Sequence, residues 1–282
     1  MKSFYEKMMS IDRRIIFLSV GLAVAIPIIV PLGLPVRVSQ ETRCFYREIE
    51  ALSEGDIILL SFDYEGDVMA ELNPMAIAVV KHAFSKGLRI VALTTYAGGT
   101  GIAENILTTV AQEFGKQYGS DYVFLGYNPD WSGTMLRLGE SFKATYPTDQ
   151  HGKPTREMPL MQDVETYDDI DLLVSISGSA LSEYWAMLAG QRYGVKVISG
   201  NTAIQAILIY PYYQAGQILG FLGGLKGAAE YEKLIQKPGM GVRGMDAQSV
   251  AHALMLIFIA IGNVGYFLSR RQHRAKEREA YK

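Results

Sequence analysis

The sequence predicts an α/β domain of the Rossmann-like, three-layer kind, with a mostly parallel sheet and a transmembrane helix at each end. Three observations carry this expectation. Two uncharged apolar stretches lie near the termini, and short apolar runs between them alternate with helix-period segments. The charges are also segregated. Residues 1–14 carry four basic and two acidic side chains and residues 269–282 carry six and two, so the middle holds 17 basic against 25 acidic residues. An acidic domain repels nucleic acid, which excludes that partner class.

Ile15 to Leu34 contains no charged residue. As a helix rising 1.5 Å per residue it would cross a hydrocarbon layer of about 30 Å. Pro27 and Pro31 are expected to kink its outer half, since proline removes a backbone donor and crowds the preceding turn. The run is long for a signal peptide, and no small-residue cleavage pattern follows it, so a retained anchor is expected. Ser249 to Leu268 is likewise free of Asp, Glu, Lys and Arg and stops at Arg270-Arg271. Inside it, His252 reads as an interfacial histidine near one end and Asn263 as a contact to a neighbouring helix. With basic residues beyond both spans, the positive-inside rule places segments 1–14 and 269–282 in the cytoplasm. The chain is then a two-pass protein of the cell membrane, in contact with lipid, with residues 55–236 as an extracytoplasmic domain. Residues 35–54 form a juxtamembrane segment with an amphipathic helix at Glu41–Leu52, and 237–248 a linker into the second span.

Within the domain the elements follow in order. Ile57–Tyr64 is a buried strand, continuous in its apolar character. Asn73-Pro74 opens a helix that Gly87 ends. Leu88–Thr95 is the second strand, Gly98–Gly101 leads into a second helix, and Asp121–Gly126 is the third strand. Residues 127–168 lack a clear period and contain Trp131, Pro147, Pro154 and Pro159, the composition of a binding loop, lid or interface. Ile170–Ser177 and Val195–Ser199 are the fourth and fifth strands, joined by a helix over Ala180–Gln191. Thr202–Leu225 is almost wholly apolar, but Pro211 interrupts it and a third span would separate the two basic ends. A crossover helix buried against the sheet or against neighbouring protein is expected instead. Gly216, Gly220, Gly223 and Gly227 recur near helical spacing and read either as local turns or as a surface for close helix approach, in a homo-oligomer or a complex with related membrane subunits.

In an open parallel sheet, ligands bind beyond the carboxyl ends of the strands. Those ends carry Asp63, Glu65, Thr95, Tyr127, Ser177, Ser179, Asn201 and Thr202, the candidate ligand residues. With Asp67 they add negative charge and no compensating Lys or Arg, which suits a polar or cationic ligand better than a phosphate. Sharper motifs are incomplete. Ala97–Gly101 resembles a phosphate-cradling turn but lacks the GxGxxG spacing and the P-loop lysine. Ser177-Gly178-Ser179 lacks GxSxG, and only His151 could serve it as a base. Asp63, Glu65 and Asp67 alternate as in a calcium loop but lack its glycine and terminal glutamate. A glycosidase pair of Asp63 with Glu140 or Asp149 has nothing to fix its spacing. Cys44 is the single cysteine, so no zinc cluster or intrachain disulfide is expected, and neither is a cofactor. The function expected is that of a membrane-assembly subunit whose outer domain binds a partner protein or a small polar ligand. A membrane-tethered hydrolase or transferase working at the strand ends is the alternative.

Overall fold

The computed structural model describes residues 12–280, with side chains to Arg271. Lys2 and Lys7, and the tail charges from Arg274 onward, lie outside the described side chains. The chain divides into two compact units, Pro35–Val242 and the terminal segments Met1–Leu34 with Arg243–Lys282.

The larger unit holds six parallel strands: β1 (Ile57–Asp63), β2 (Arg89–Thr94), β3 (Tyr122–Tyr127), β4 (Leu172–Ser177), β5 (Val197–Asn201) and β6 (Phe221–Gly223). Their order, β3-β2-β1-β4-β5-β6, is that of a doubly wound sheet, with the direction of winding reversing between β1 and β4. β1, β2, β4 and β5 are buried along almost their whole length, which explains why they read as continuous apolar runs.

Four helices cover one face of the sheet: α2 (Gln40–Glu50), α3 (Met69–Ser85), α4 (Thr100–Phe114) and α10 (Gly224–Leu234). Their apolar stripes meet Ile58, Leu60, Ile90, Phe124, Val174 and Ile198 from the sheet. Residues 127–168, aperiodic in sequence, cover the other face. They form the short helices α5 (Trp131–Arg137), α6 (Phe142–Thr145) and α7 (Pro159–Gln162), followed after β4 by α8 (Leu181–Trp185) and one π-helical stretch, Ala186–Gln191. This segment is therefore a packed layer rather than an open loop. Met135, Phe142, Leu160 and Trp185 are fully buried in it.

α3 begins at Met69 rather than at Pro74. The turn Gly66–Val68 feeds directly into it, and a proline one turn in forgoes a single backbone bond. Asn73 instead accepts a hydrogen bond from Tyr64 Oη at 2.8 Å.

The glycine reading of 216–227 is corrected by the structure. Thr202–Leu225 is a twelve-residue helix α9 (Ala203–Gln214), a turn, and the strand β6, so no glycine row forms along a helix. Gly216 sits in the turn at φ +73°. Gly220 lies so close to α2 that a Cβ would stand 2.2 Å from Phe45 N. A Cβ at Gly223 would stand 3.0 Å from Ala206 Cβ, and one at Gly227 would stand 2.9 Å from the Leu222 backbone. These glycines allow close approach inside one domain. α9 also departs from expectation. It joins β5 to β6, but of its side chains only Ile209 is buried, while Ile204 is 80% and Ile207 73% exposed.

Two acids on α10 secure the chain where it enters and leaves this unit. Glu230, fully buried, accepts bonds from Ser39 N (3.0 Å), Ser39 Oγ (2.7 Å) and Thr42 Oγ1 (2.8 Å), and Lys226 pairs with it. Glu232 accepts from Gly239 N, Gly241 N and Val242 N at 2.8–2.9 Å, satisfying amide groups at the start of α11 (Met240–Ala280) that have no partner within the helix. The span read as a linker, 237–248, is thus helical from Met240. α2 is further held by His82 of α3, whose ring nitrogens meet Tyr231 Oη (2.7 Å) and Glu50 Oε2 (2.9 Å).

In the terminal unit, one helix among the described residues is long and apolar enough to cross a membrane: Met240–Arg271, 32 residues. The N-terminal helix α1 (Arg13–Ile29) is shorter than the expected Ile15–Leu34. Pro27 lies within it, whereas Pro31 lies beyond its end, where the chain becomes extended at Val30. The three amides after Pro31 turn inward together. Leu32 N, Gly33 N and Leu34 N all donate to the Asp246 carboxylate at 2.9–3.0 Å, with Gly33 at φ +65°. This ties the end of the first apolar segment to the beginning of the last helix.

Candidate functional site

Parallel pairing in register brings the strand ends together on one face. Asp63 lies beside Ser177, which lies beside Asn201; one pleat earlier, Ser61, Ser175 and Ser199 form a second row. Side chains two residues apart share a face, so along β1, β4 and β5 the same face changes from apolar to polar. Leu59, Leu173 and Val197 pack in the core, and the hydroxyl, carboxyl and amide groups follow towards the carboxyl ends.

Asp63 is the centre of this patch and is fully buried. Its Oδ1 accepts from Ser61 Oγ at 2.6 Å and Thr95 Oγ1 at 2.7 Å. Its Oδ2 accepts from Trp185 Nε1 at 2.9 Å and Ser175 Oγ at 3.3 Å. Burial pushes its carboxyl above the usual range, and the four hydrogen bonds offset part of that rise. Ser175 Oγ lies 2.9 Å from Ser182 Oγ, which in turn accepts from Asn201 Nδ2 at 2.9 Å. One continuous network therefore joins β1, the turn after β2, β4, β5 and α8. It brings together Asp63, Thr95 and Asn201 of the sequence candidates. Ser177 shares their face but bonds to Ser179 O (3.0 Å) and Ser179 Oγ (3.3 Å).

The other candidates lie around this centre. Thr202, nearly buried, caps α9 through Gln205 N. Glu65 is exposed and accepts from Gly98 N at 3.3 Å. Tyr127, 40% exposed at the end of β3, pairs in register with Thr94. The strand end is less acidic towards a ligand than its sequence suggests. Asp63 has its acceptor positions filled from within the protein and offers no free charge to a cation, while Glu65 and Asp67 are exposed.

Sequence reasoning missed Trp185, Ser182 and Tyr146. Trp185 and Ser182 lie on a helix whose periodicity marks core positions, and nothing in the sequence distinguishes an indole that packs from one that also donates. Tyr146 comes from the aperiodic segment; it is buried, and its hydroxyl is held up by burial first and then by the nearby Asp63. Among the described residues, buried polar atoms without a hydrogen-bond partner gather at this edge: Tyr146 Oη, Ser199 Oγ and Asn201 Oδ1. Glu183 Oε1, next to Ser182, and Gln205 Oε1, in the first turn of α9, are in the same condition. Such atoms call for water or a ligand, since leaving each bare costs about 1–3 kcal/mol.

The rival motifs resolve into structural roles. Gly99 of the Ala97–Gly101 turn abuts the Tyr64 carbonyl, where a Cβ would stand at 2.7 Å, so the glycine serves close packing against β1. His151 Nε2 is 3.4 Å from Glu104, and no histidine hydrogen-bonds Ser177 or Ser179 among the described residues. Asp149 accepts from Tyr118 Oη at 2.6 Å and from the His151 and Lys153 amides. Among the described residues no group of three metal-ligating side chains forms.

No protein-family model matches the sequence. No curated protein matches it either. Among solved structures, the crystal structure of AibC aligns at a TM-score of 0.30 and 13% identity, over 86% of this chain and 56% of AibC. The chain thus spans little more than half the length of that protein, and a likeness of this degree says nothing about function.

Proposed function

We propose that this chain is a two-pass membrane subunit whose extracytoplasmic α/β domain binds a small polar ligand at the carboxyl edge of β1, β4 and β5. The observation that carries the ligand reading is the buried network around Asp63, with Ser199 Oγ, Asn201 Oδ1 and Tyr146 Oη left without partners beside it. These groups both donate and accept, so they suit a neutral polar molecule bearing hydroxyl or amide groups. Asp63 orients the donors rather than touching the ligand. The test is native mass spectrometry of the full chain released from mild detergent, for wild type and Ser199→Ala. A small molecule bound to the wild type and depleted in the variant is expected, with lower thermal stability in the variant, because a ligand held by the folded state stabilises it. A bare wild-type mass, together with a variant stabilised under all conditions, would remove the ligand reading.

The membrane reading rests on the 32-residue apolar helix, the basic ends, and the exposed apolar surface of α1, where Phe17 is 72% exposed. The Asp246 contacts add support, because chain segments joined at that point would enter a bilayer from the same side. A Cys44→Ser chain carrying a cysteine at exposed Lys196 should react with an impermeant thiol reagent on sealed cells, and one carrying it at Ala280 should not. Labelling at Ala280 alone would invert the topology, and labelling at both would leave a single span. Assembly with further copies or related subunits belongs to the same proposal, supported by the apolar surface that α9 leaves open at Ile204, Ile207 and Leu208.

A further inference from the structure

We infer that the domain carries a second site, for a phosphate-bearing anion, where the chain enters it. A cavity of about 680 Å³ opens between the segment before α2 and the end of α10. Its charged lining residues are Arg37, Arg43 and Lys233, and no acidic side chain lines it. Arg37 and Arg43 form no ion pair or side-chain hydrogen bond among the described residues. Lys233 Nζ donates to Val36 O at 3.0 Å, which fixes the near wall and leaves its charge uncompensated.

With three cations and no acid around one opening, an anion is favoured there and relieves their mutual repulsion. The two helix ends at the border, the start of α2 and the end of α10, carry opposite partial charges of about half a unit and nearly cancel. The side chains therefore decide the sign. Guanidinium groups present paired donors that match phosphate oxygens, and the ammonium adds a point charge. Gln236, at φ +55° on the rim, brings an amide to the same opening. The site differs from the strand-end site in place and in charge.

Phosphate can come from a lipid headgroup or from solution. Arg37 is three residues past Leu34, within about 11 Å of extended chain from the end of the apolar segment, so a lipid source depends on the membrane reading above. A soluble source does not.

The experiment uses the full chain in a zwitterionic detergent and measures thermal shift and binding with two probes, inorganic phosphate and a short-chain phosphatidic acid. The variants are Arg37→Gln/Arg43→Gln and, with the same loss of charge elsewhere, Arg192→Gln/Lys196→Gln. Wild type and the second pair should bind, and the first pair should lose affinity by about tenfold or more, since charge-assisted contacts are removed. Binding of phosphatidic acid alone assigns a lipid headgroup, and binding of phosphate alone or of both assigns the phosphate group itself. No binding of either probe by wild type, or equal weakening in both double variants, overturns the site.

Discussion

Replacing Asp63 by alanine is expected to destabilise the domain by about 1–3 kcal/mol, the cost of leaving a buried donor without its acceptor. The reason lies in what remains. Ser61, Thr95 and Ser175 can rotate their hydroxyls towards other acceptors, and Ser175 already has Ser182 at 2.9 Å. Trp185 Nε1 can only donate, its side chain is fully buried, and Asp63 is its acceptor. Domains of this size are stable by about 5–15 kcal/mol, so the loss should be plain in urea unfolding of the full chain followed by tryptophan fluorescence. Unchanged stability would mean that water replaces the carboxylate at no cost.

Asp63→Asn separates charge from shape. Burial raises the folded carboxyl above its ordinary value of 3.8, so the wild-type domain holds its proton more tightly than the unfolded chain does. That contribution is complete below the unfolded value and is lost as pH rises through the folded one. The stability gap between wild type and Asp63→Asn should therefore narrow as pH increases above about 4. A gap that widens with pH would show that the four donors outweigh burial.

Gly220→Ala is expected to cost about 3 kcal/mol or more and to loosen α2 from the sheet edge. A Cβ there would lie 2.2 Å from Phe45 N and 2.6 Å from Phe45 Cα. Those are backbone atoms of a helix held by Glu230 at Thr42 and by His82 at Glu50, so they cannot give way as a flexible side chain would. Amide hydrogen exchange of Phe45 and Ile49 should accelerate in the variant. Gly216→Ala is the comparison. Nothing lies within 4 Å of its Cβ position, so only the φ of +73° resists substitution, worth about 1–2 kcal/mol. Equal effects at the two positions would contradict the close approach. A smaller particle with normal domain stability would return Gly220 to an interface between chains.

The two glycines illustrate where sequence reasoning stops. A spacing of three to four residues is shared by a helical stripe and by a turn-strand-helix passage that happens to have the same step. β6 is three residues long and carries no alternation to reveal it. Its place is fixed by pairing with β5 and by the absence of a Cβ at Gly220, both of which involve residues far away in the chain. Residues 127–168 are similar. Their short helices have too few turns to show a period, and they are ordered by the sheet face they cover.

What the sequence determined by itself follows from burial that is uniform along an element. Five strands lie within two residues of their expected bounds because a strand covered on both faces must be apolar throughout. The C-terminal helix is legible from composition, being long and apolar enough to cross a membrane. The edge at which Asp63, Thr95 and Asn201 meet was also foreseeable, because parallel strands place their carboxyl ends together whatever their order. The tertiary structure decided what those residues do there. Whether a carboxylate meets a ligand or is enclosed by Trp185, Ser61, Thr95 and Ser175 depends on contacts spanning up to 122 positions in sequence. No local pattern encodes such contacts, because hydrogen bonds between distant segments exist only once the sheet has brought them within about 3 Å.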